Sequence, residues 1–172
     1  IIVTFNLSKS TFLGEKRPKD IKDIIEVDVE GKKFYFSKKP GFFPQLLKEI
    51  IEKRKQFKQE LKKSDDPIKR ARSNAYKVLA NASYGYLGFF GGRYYCYEAQ
   101  GSTTGISRDF IKKIIEKTNS KGYKVIYGDT DGFSFLLNGK SHKETLEFLE
   151  DLNKDLPGIM ELELEDFYKR GI

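Results

Sequence analysis

Val125-Ile-Tyr-Gly-Asp129-Thr130-Asp131-Gly132-Phe133-Ser-Phe-Leu-Leu137 decides how this chain is read. Two apolar runs of strand length flank a short polar segment ending in Asp-Gly, which predicts a β-hairpin with acids at its tip. Asp129 and Asp131 stand two apart, and on extended chain such residues share a face. Paired carboxylates aimed into a cleft are the hard, charged oxygen donors that a divalent cation takes. Asp131-Gly132 alone is explained by turn chemistry more often than by metal, because Asp-Gly is a favoured hairpin turn. The meaning of the pair comes from the residues upstream of it.

There, Arg70, Asn74, Lys77, Asn81 and Tyr84 recur at spacings of four, three, four and three. On a helix they form one stripe. Ala71, Ala75, Val78, Leu79 and Ala82 lie off that stripe and offer a side that can pack. Asp66 can cap the helix, Pro67 suits its first position, and Gly85 marks its end. A polar helix face is ordinarily just solvated. A row of cation, amide and aromatic ring also suits a nucleotide: the cation for phosphate, the flat ring for base or sugar.

The preceding helix opens at Pro44 and closes at Ser64-Asp-Asp-Pro67. Leu46, Leu47, Ile50, Ile51, Phe57 and Leu61 give it an apolar stripe at helical spacing. Arg54 and Lys58 stand one turn apart on the side of Ile50 and Phe57. Between residues 48 and 72, Lys and Arg outnumber Asp and Glu two to one. Two helices joined by a short Asp-Pro turn predict an antiparallel αα-hairpin. Its inner side would gather Arg54, Lys58 and Lys77, a charge suited to a triphosphate; the alternative is a solvated basic helix pair.

These residues carry a resemblance. Lys77-Val-Leu-Ala-Asn81-Ala-Ser-Tyr84-Gly85 resembles the fingers motif of the family B (α-like) DNA polymerases: a Lys, three residues, an Asn, and a Tyr-Gly shortly after. Tyr127-Gly-Asp129-Thr130-Asp131 resembles that family's palm motif, Tyr-x-Asp-Thr-Asp. Ile1-Ile-Val-Thr-Phe-Asn6-Leu-Ser8 is similar to the stretch directly after the first palm motif. Pro40-Gly-Phe-Phe-Pro44-Gln-Leu-Leu is similar to the lead-in of the first fingers helix, and Phe167-Tyr-Lys-Arg-Gly171 to a palm strand of archaeal members. The five stretches occur in family order across essentially the whole chain. The family usually has Ser where Ala82 stands, and often Ser where Gly132 stands.

The resemblance implies an α+β fold: an antiparallel-sheet palm with helices on one face, interrupted by an αα-hairpin fingers subdomain. Residues 1–39 would form the first part of the palm with a small β-hairpin, 40–85 the fingers, and 86–172 the second part of the palm with the catalytic hairpin. The implied reaction is template-directed nucleotidyl transfer from a dNTP to a primer 3′-hydroxyl, using two Mg2+ ions about 3.5–4 Å apart, with Mn2+ as a substitute. Asp131 would be the main metal ligand here and Asp129 a weaker contributor. Arg54, Lys58 and Lys77 would hold the triphosphate, with Lys77 also counted as catalytic. Asn81 and Tyr84 would line the nascent base pair. Thr130 and Tyr127 would sit near the primer end, and Glu163 and Glu165 near the metals, unless they are solvated strand acids. Ser102, Thr103, Thr104 and Arg108 could touch duplex backbone.

The implied partners are primer-template DNA, dNTPs and the remainder of the polymerase chain: exonuclease, upstream palm motif and thumb. The first palm motif would end just before Ile1, and a Lys-rich motif and the thumb would begin just after Ile172. The chain opens with Ile and its one Met is Met160, so it is expected to be a piece of a longer protein, inactive alone. A non-catalytic polymerase-like nucleic-acid-binding subunit, or one part of a split polymerase, are the other readings; retained Asp129, Asp131 and Lys77 argue against the first.

Composition bounds the alternatives. A net charge of +7 points to an anionic partner. One cysteine, Cys96, excludes an internal disulfide framework and fits a reducing compartment, and with a single histidine, His142, zinc-finger ligation is excluded. No apolar run approaches the roughly 20 residues of a membrane span, so no membrane partner and an intracellular location (cytoplasm and nucleoid, or nucleus) are expected. The remaining segments predict strands at 1–5, 24–29, 33–37 and 160–168. Extended chain is predicted at 94–98, with Cys96 a strand residue. Helices are predicted at 43–63, 67–84, 101–118 and 143–154, the last with Leu146, Leu149 and Leu152 inward.

Overall fold

The computed structural model describes residues 1–129 and 131–170. The element order is β1 (Phe12–Gly14), β2 (Ile24–Val29), β3 (Lys32–Ser37), α1 (Phe42–Leu61), α2 (Pro67–Gly88), α3 (Tyr97–Ser120), β4 (Lys124–Gly128), β5 (Phe133–Leu136) and α4 (His142–Lys154). The chain divides into two compact units, Ile1–Ile106 and Ser107–Ile172.

In the first unit, β2 and β3 pair antiparallel from Ile24↔Ser37 to Val29↔Lys32. Glu30 and Gly31 both take positive φ, 54° and 85°, which is the backbone a tight two-residue turn between twisted strands requires. The Asp28 carboxylate accepts from the Gly31 N–H at 2.9 Å and holds the turn. β1 adds on the other side of β3, so β3 is central and its Phe34, Tyr35 and Phe36 are all buried. The first turns of α3 lie on this sheet, and they come close because Gly105 has no side chain: a Cβ there would stand 2.9 Å from a methyl of Val29.

Asn6 joins the start of the unit to the start of α1. Its backbone is left-handed, with φ 51°. Its amide donates to the carbonyls of Ser37 and Lys39, both at 2.7 Å, and its side-chain oxygen accepts from the Gly41 N–H at 2.9 Å. Thr11 donates to the Asn6 carbonyl at 2.6 Å. This leaves almost every polar atom of a buried residue satisfied, which burial demands.

α1 and α2 form the antiparallel hairpin. Asp66 caps α2 by accepting from the Ile68 N–H at 2.8 Å, and Pro67 occupies the first helical position. The seam is polar and aromatic. Phe57 stacks on Tyr76 at 5.8 Å, the Arg72 guanidinium lies 5.9 Å from the centre of the Phe57 ring, and Lys69 pairs with Glu60 at 2.8 Å. The half-buried face of α2 is Lys69, Ser73, Tyr76, Ala80 and Ser83, leading to buried Leu87. The expected packing side does not pack: Val78 and Leu79 are 66% and 52% exposed, and Ala71, Ala75 and Ala82 are exposed too. The small and aromatic residues at alternating three and four spacing won the seam over the more apolar stripe beside it. α2 also runs past Gly85 to Gly88.

The second unit is built on Ile114, Tyr123, Phe148 and Leu152. Tyr123 stacks on Phe148 at 4.9 Å and meets Phe135 edge-on at 5.1 Å. α4 starts with a reciprocal cap: the Ser141 hydroxyl accepts from the Glu144 N–H, and the Glu144 carboxylate accepts from the Ser141 N–H at 2.8 Å. Its inward residues are Thr145, Phe148 and Leu152, with Leu149 half-buried; Leu146, expected inward, is 46% exposed.

Four further expectations are corrected. Residues 1–5 are a turn, with the Phe5 N–H bonded to the Ile1 carbonyl at 2.9 Å, so their apolar character serves burial without a strand partner. Residues 94–98 are not extended: α3 begins at Tyr97, and buried Cys96 gives its N–H to Leu87 at 2.9 Å, tying the end of α2 to the start of α3. Residues 160–168 form no strand. The main chain of Leu162 bonds to the Asn153 side chain, at 2.7 and 3.0 Å, where a strand neighbour would have been. The single interrupted sheet is instead two sheets, three-stranded and two-stranded. The α+β character holds, with antiparallel pairing throughout.

Candidate functional site

The predicted site residues fall in both units. In the second, β4 and β5 pair from Lys124↔Leu136 to Gly128↔Phe133. The register slips between Val125 and Tyr127, so Ile126 is an extra residue on β4; such bulges increase local twist and re-aim the residues beyond them. The Asp129 N–H donates to the Gly132 carbonyl at 2.8 Å and closes the tip. Asp129 and Asp131 are therefore held at the end of a closed turn, and both are exposed, as is Tyr127 at 63%. Thr130 lies outside the described residues. Phe133 and Phe135 stack at 5.5 Å and anchor β5 to the core, which fixes the base of the hairpin.

The donor set of this tip is two hard carboxylates, the right chemistry for Mg2+ or Mn2+ but short of a coordination shell. Among the described residues no three His, Cys, Asp or Glu side chains come together to hold a metal ion. Glu163 and Glu165, exposed on the irregular segment after α4, are thus not gathered with the pair into a three-acid group.

In the first unit, Arg70, Asn74, Lys77, Asn81 and Tyr84 all lie exposed along α2. The side chains of Asn74, Lys77 and Asn81 have no hydrogen bond or ion pair to another described residue, whereas that of Arg70 pairs with Asp65 and that of Tyr84 with Thr104. Helix geometry places the cations of α1 with respect to this stripe. When two right-handed helices run antiparallel, the residues one position after two facing residues turn to the same side. Phe57 and Tyr76 face each other, so Lys58 and Lys77 project to one side of the hairpin. Arg54, one turn before Phe57, is half-buried on that side. Lys58 is exposed in the last turn of α1, where a cation also suits the helix dipole.

Two residues of consequence show nothing of these roles in the sequence. Asn6 stands inside a motif, and only its left-handed backbone and three side-chain bonds reveal a clamp on the approach to α1. Thr104 stands with Ser102 and Thr103 among the expected duplex contacts. Ser102 is fully buried, and Thr103 and Thr104 donate to the carbonyls of Ala99 and Gln100, at 2.7 and 3.0 Å. No sequence signal pairs position 104 with position 84.

Residues 1–172 match the family model for DNA polymerase family B. The chain is 38% identical, over 99% of its length, to DNA polymerase 1 of Pyrococcus abyssi and 40% identical, over the same share, to a DNA polymerase of Thermococcus gorgonarius. The family B DNA polymerase of the hyperthermophilic archaeon Pyrobaculum calidifontis has a similar structure, with a TM-score of 0.73 and 32% identity over 90% of the chain. This chain belongs to DNA polymerase family B. Its relatives here are archaeal polymerases, and it spans 23% of the length of the two curated ones and 20% of the solved one.

Proposed function

We propose that this chain is the fingers and most of the palm of a template-directed DNA polymerase, which adds dNTPs to a primer 3′-hydroxyl. The observation that carries the reading is that the side chains of Lys77 and Asn81 stand exposed, with no hydrogen bond or ion pair to another described residue, on a helix whose neighbour presents Arg54 and Lys58 to the same side. The Lys77 and Asn81 side chains, left unengaged by the fold, are available to a ligand. Residues 40–85 serve as fingers, with 1–39 and 86–172 as palm.

In this reading Arg54, Lys58 and Lys77 bind the triphosphate and neutralise the departing pyrophosphate, and Lys77 would offer a proton there. Asn81 and Tyr84 border the nascent base pair. Asp131, with Asp129 beside it, would hold the divalent ions, Mg2+ or Mn2+. Such ions, when bound, activate the attacking oxygen and stabilise charge on the leaving one. The remaining donors would come from water and an upstream palm carboxylate. Tyr127 and Thr130 border the primer end, and Glu163 and Glu165 contribute acidic surroundings. The partners are primer-template DNA, dNTPs and the rest of the polymerase chain, and the setting is intracellular. Among the described residues no helix is long and apolar enough to cross a membrane.

Primer extension in Mg2+ by the parent protein, wild type against Asp131→Asn, tests the reading, with the 172-residue chain as a third sample. Loss of extension with DNA binding retained is expected, with no extension by the chain alone. Equal extension by the variant would remove the hairpin from catalysis. A wild-type parent that binds DNA and never extends it would make the protein a polymerase-like binding subunit.

A further inference from the structure

We infer that Thr104 is a positioning residue for Tyr84, holding its phenol at the nucleotide stripe with the phenolic proton turned inward. The inference rests on the polymerase reading above.

The two helices meet antiparallel at this point. Leu87 and Ala99 are fully buried between them and their surroundings, and a Cβ on Gly88 would stand 2.2 Å from the Gln100 side chain. One turn back along α2 and one turn forward along α3, the Tyr84 hydroxyl lies 3.0 Å from the Thr104 hydroxyl. Thr104 is fixed from both directions. Gln100 is the contact towards α2, and adjacent Gly105 sits against Val29 of the sheet.

The direction of the bond is settled by counting protons. The Thr104 hydroxyl has one proton and also lies 3.0 Å from the Gln100 carbonyl, which can only accept. That proton goes to Gln100, so the phenol donates to Thr104. Tyr84, 37% exposed, is left with an oxygen that can accept a bond and cannot donate another. Every correct base pair shows acceptors on its minor-groove edge, N3 of purines or O2 of pyrimidines. A phenol whose proton is engaged offers them no bond. Tyr84 would then meet a base pair by the shape and position of its ring, not by a donated bond, and Thr104 keeps both orientation and proton in place.

The parent polymerase is tested as wild type, Thr104→Val, Thr104→Ser, Tyr84→Phe and the Tyr84→Phe/Thr104→Val double variant, in single-nucleotide incorporation of the correct dNTP. A second reading is the 19F resonance of 3-fluorotyrosine at position 84. Thr104→Val and Tyr84→Phe should each raise KM roughly five-fold with kcat little changed, the size expected for one hydrogen bond. The double variant should be no worse than either. Thr104→Ser, which keeps the hydroxyl, should match wild type in KM and 19F shift, while Thr104→Val moves the resonance. Wild-type KM in Thr104→Val, or effects that multiply in the double variant, would overturn the proposal. A moved resonance with an unmoved KM would leave the bond real and the positioning role refuted. A wild-type parent that adds no nucleotide would sink the polymerase reading itself, whatever the resonance does, and the nucleotide role of Thr104 with it.

Discussion

Asn153, in the last turn of α4, grips the main chain of Leu162 at both polar atoms: the Leu162 N–H donates to its side-chain oxygen at 2.7 Å, and its amide donates to the Leu162 carbonyl at 3.0 Å. An amide side chain here stands in for a neighbouring strand. Asn153→Ala should cost about 1–3 kcal/mol, because it leaves two half-buried backbone groups without partners. Hydrogen exchange over residues 158–168 checks it, with faster exchange there and little change in α1 and α2.

Gly105 of α3 and Gly85 of α2 should answer oppositely to alanine. Gly105→Ala sets a Cβ 2.9 and 3.1 Å from the two methyls of Val29, a β-branched side chain with little freedom to turn aside. A loss of about 1–3 kcal/mol is expected, largely recovered in Gly105→Ala/Val29→Ala. Gly85→Ala meets nothing within 4 Å and removes a helix-interior glycine. It should stabilise by about 0.5–1 kcal/mol. If nucleotide binding nonetheless weakens, the open space over Gly85 belongs to the ligand. Thermal unfolding and dNTP titration separate the two effects.

Cys96 should be a poor nucleophile. Burial is the main cause that pushes its thiol up to about 11. At pH 8 roughly one thiol in a thousand is then thiolate, against about a quarter for an ordinary cysteine, so alkylation should be about two hundred times slower than in unfolded chain. Because the folded value is raised, the stability linked to this group is complete below the unfolded value of about 8.5 and declines as pH rises towards 11. Iodoacetamide labelling against pH, native and denatured, measures it.

Glu144 carries the opposite sign. The Ser141 N–H and hydroxyl, bonded to its carboxylate, hold it below the usual carboxylate range. A lowered folded value means that its contribution is present above the unfolded value of about 4.3 and is lost as pH falls through the folded one. Ser141→Ala should cost about 1 kcal/mol at pH 7. Its deficit relative to wild type should shrink in acid, which paired melts at pH 7 and pH 3 would reveal.

The parts of the fold legible in the sequence are those that local chemistry fixes. Asp66-Pro67 carries its own start signal, and α2 begins there. The β2–β3 and β4–β5 hairpins are signalled by apolar runs around Glu30-Gly31 and Asp131-Gly132. The parts that were not legible depend on partners distant in sequence. Met160, Leu162 and Leu164 alternate as a strand does, but Leu162 is covered by the Asn153 side chain and the core of the second unit, while Leu164 is exposed. Phe12–Gly14 is too short to show a period, and is a strand because the edge of β3 is there to receive it. The seam of α2 departs from the apolar pattern because Tyr76, Ala80 and Ser83 are less apolar than Val78 and Leu79, and the choice between stripes was made by Phe57 on the facing helix. At the site, the identity of the acids and cations was legible; the commitment of Tyr84 to Thr104, twenty residues away, was not.

The clamp at Asn6 has a consequence in time. The helical hairpin is a local structure, closed by a turn of five residues between Leu61 and Pro67. The bond from Gly41 to Asn6 spans 35 positions, and the whole of the three-stranded sheet lies within that loop. Closing a long loop costs entropy before any contact offsets it, so sequence-local elements assemble first and this bond comes late. An interaction made after the folding barrier governs how long the native state lasts, not how fast it is reached. Asn6→Ala should therefore leave the refolding limb of a chevron almost unchanged and steepen the loss of native chain by speeding unfolding: one residue near the start of the sequence acts as the latch on a structure already built behind it.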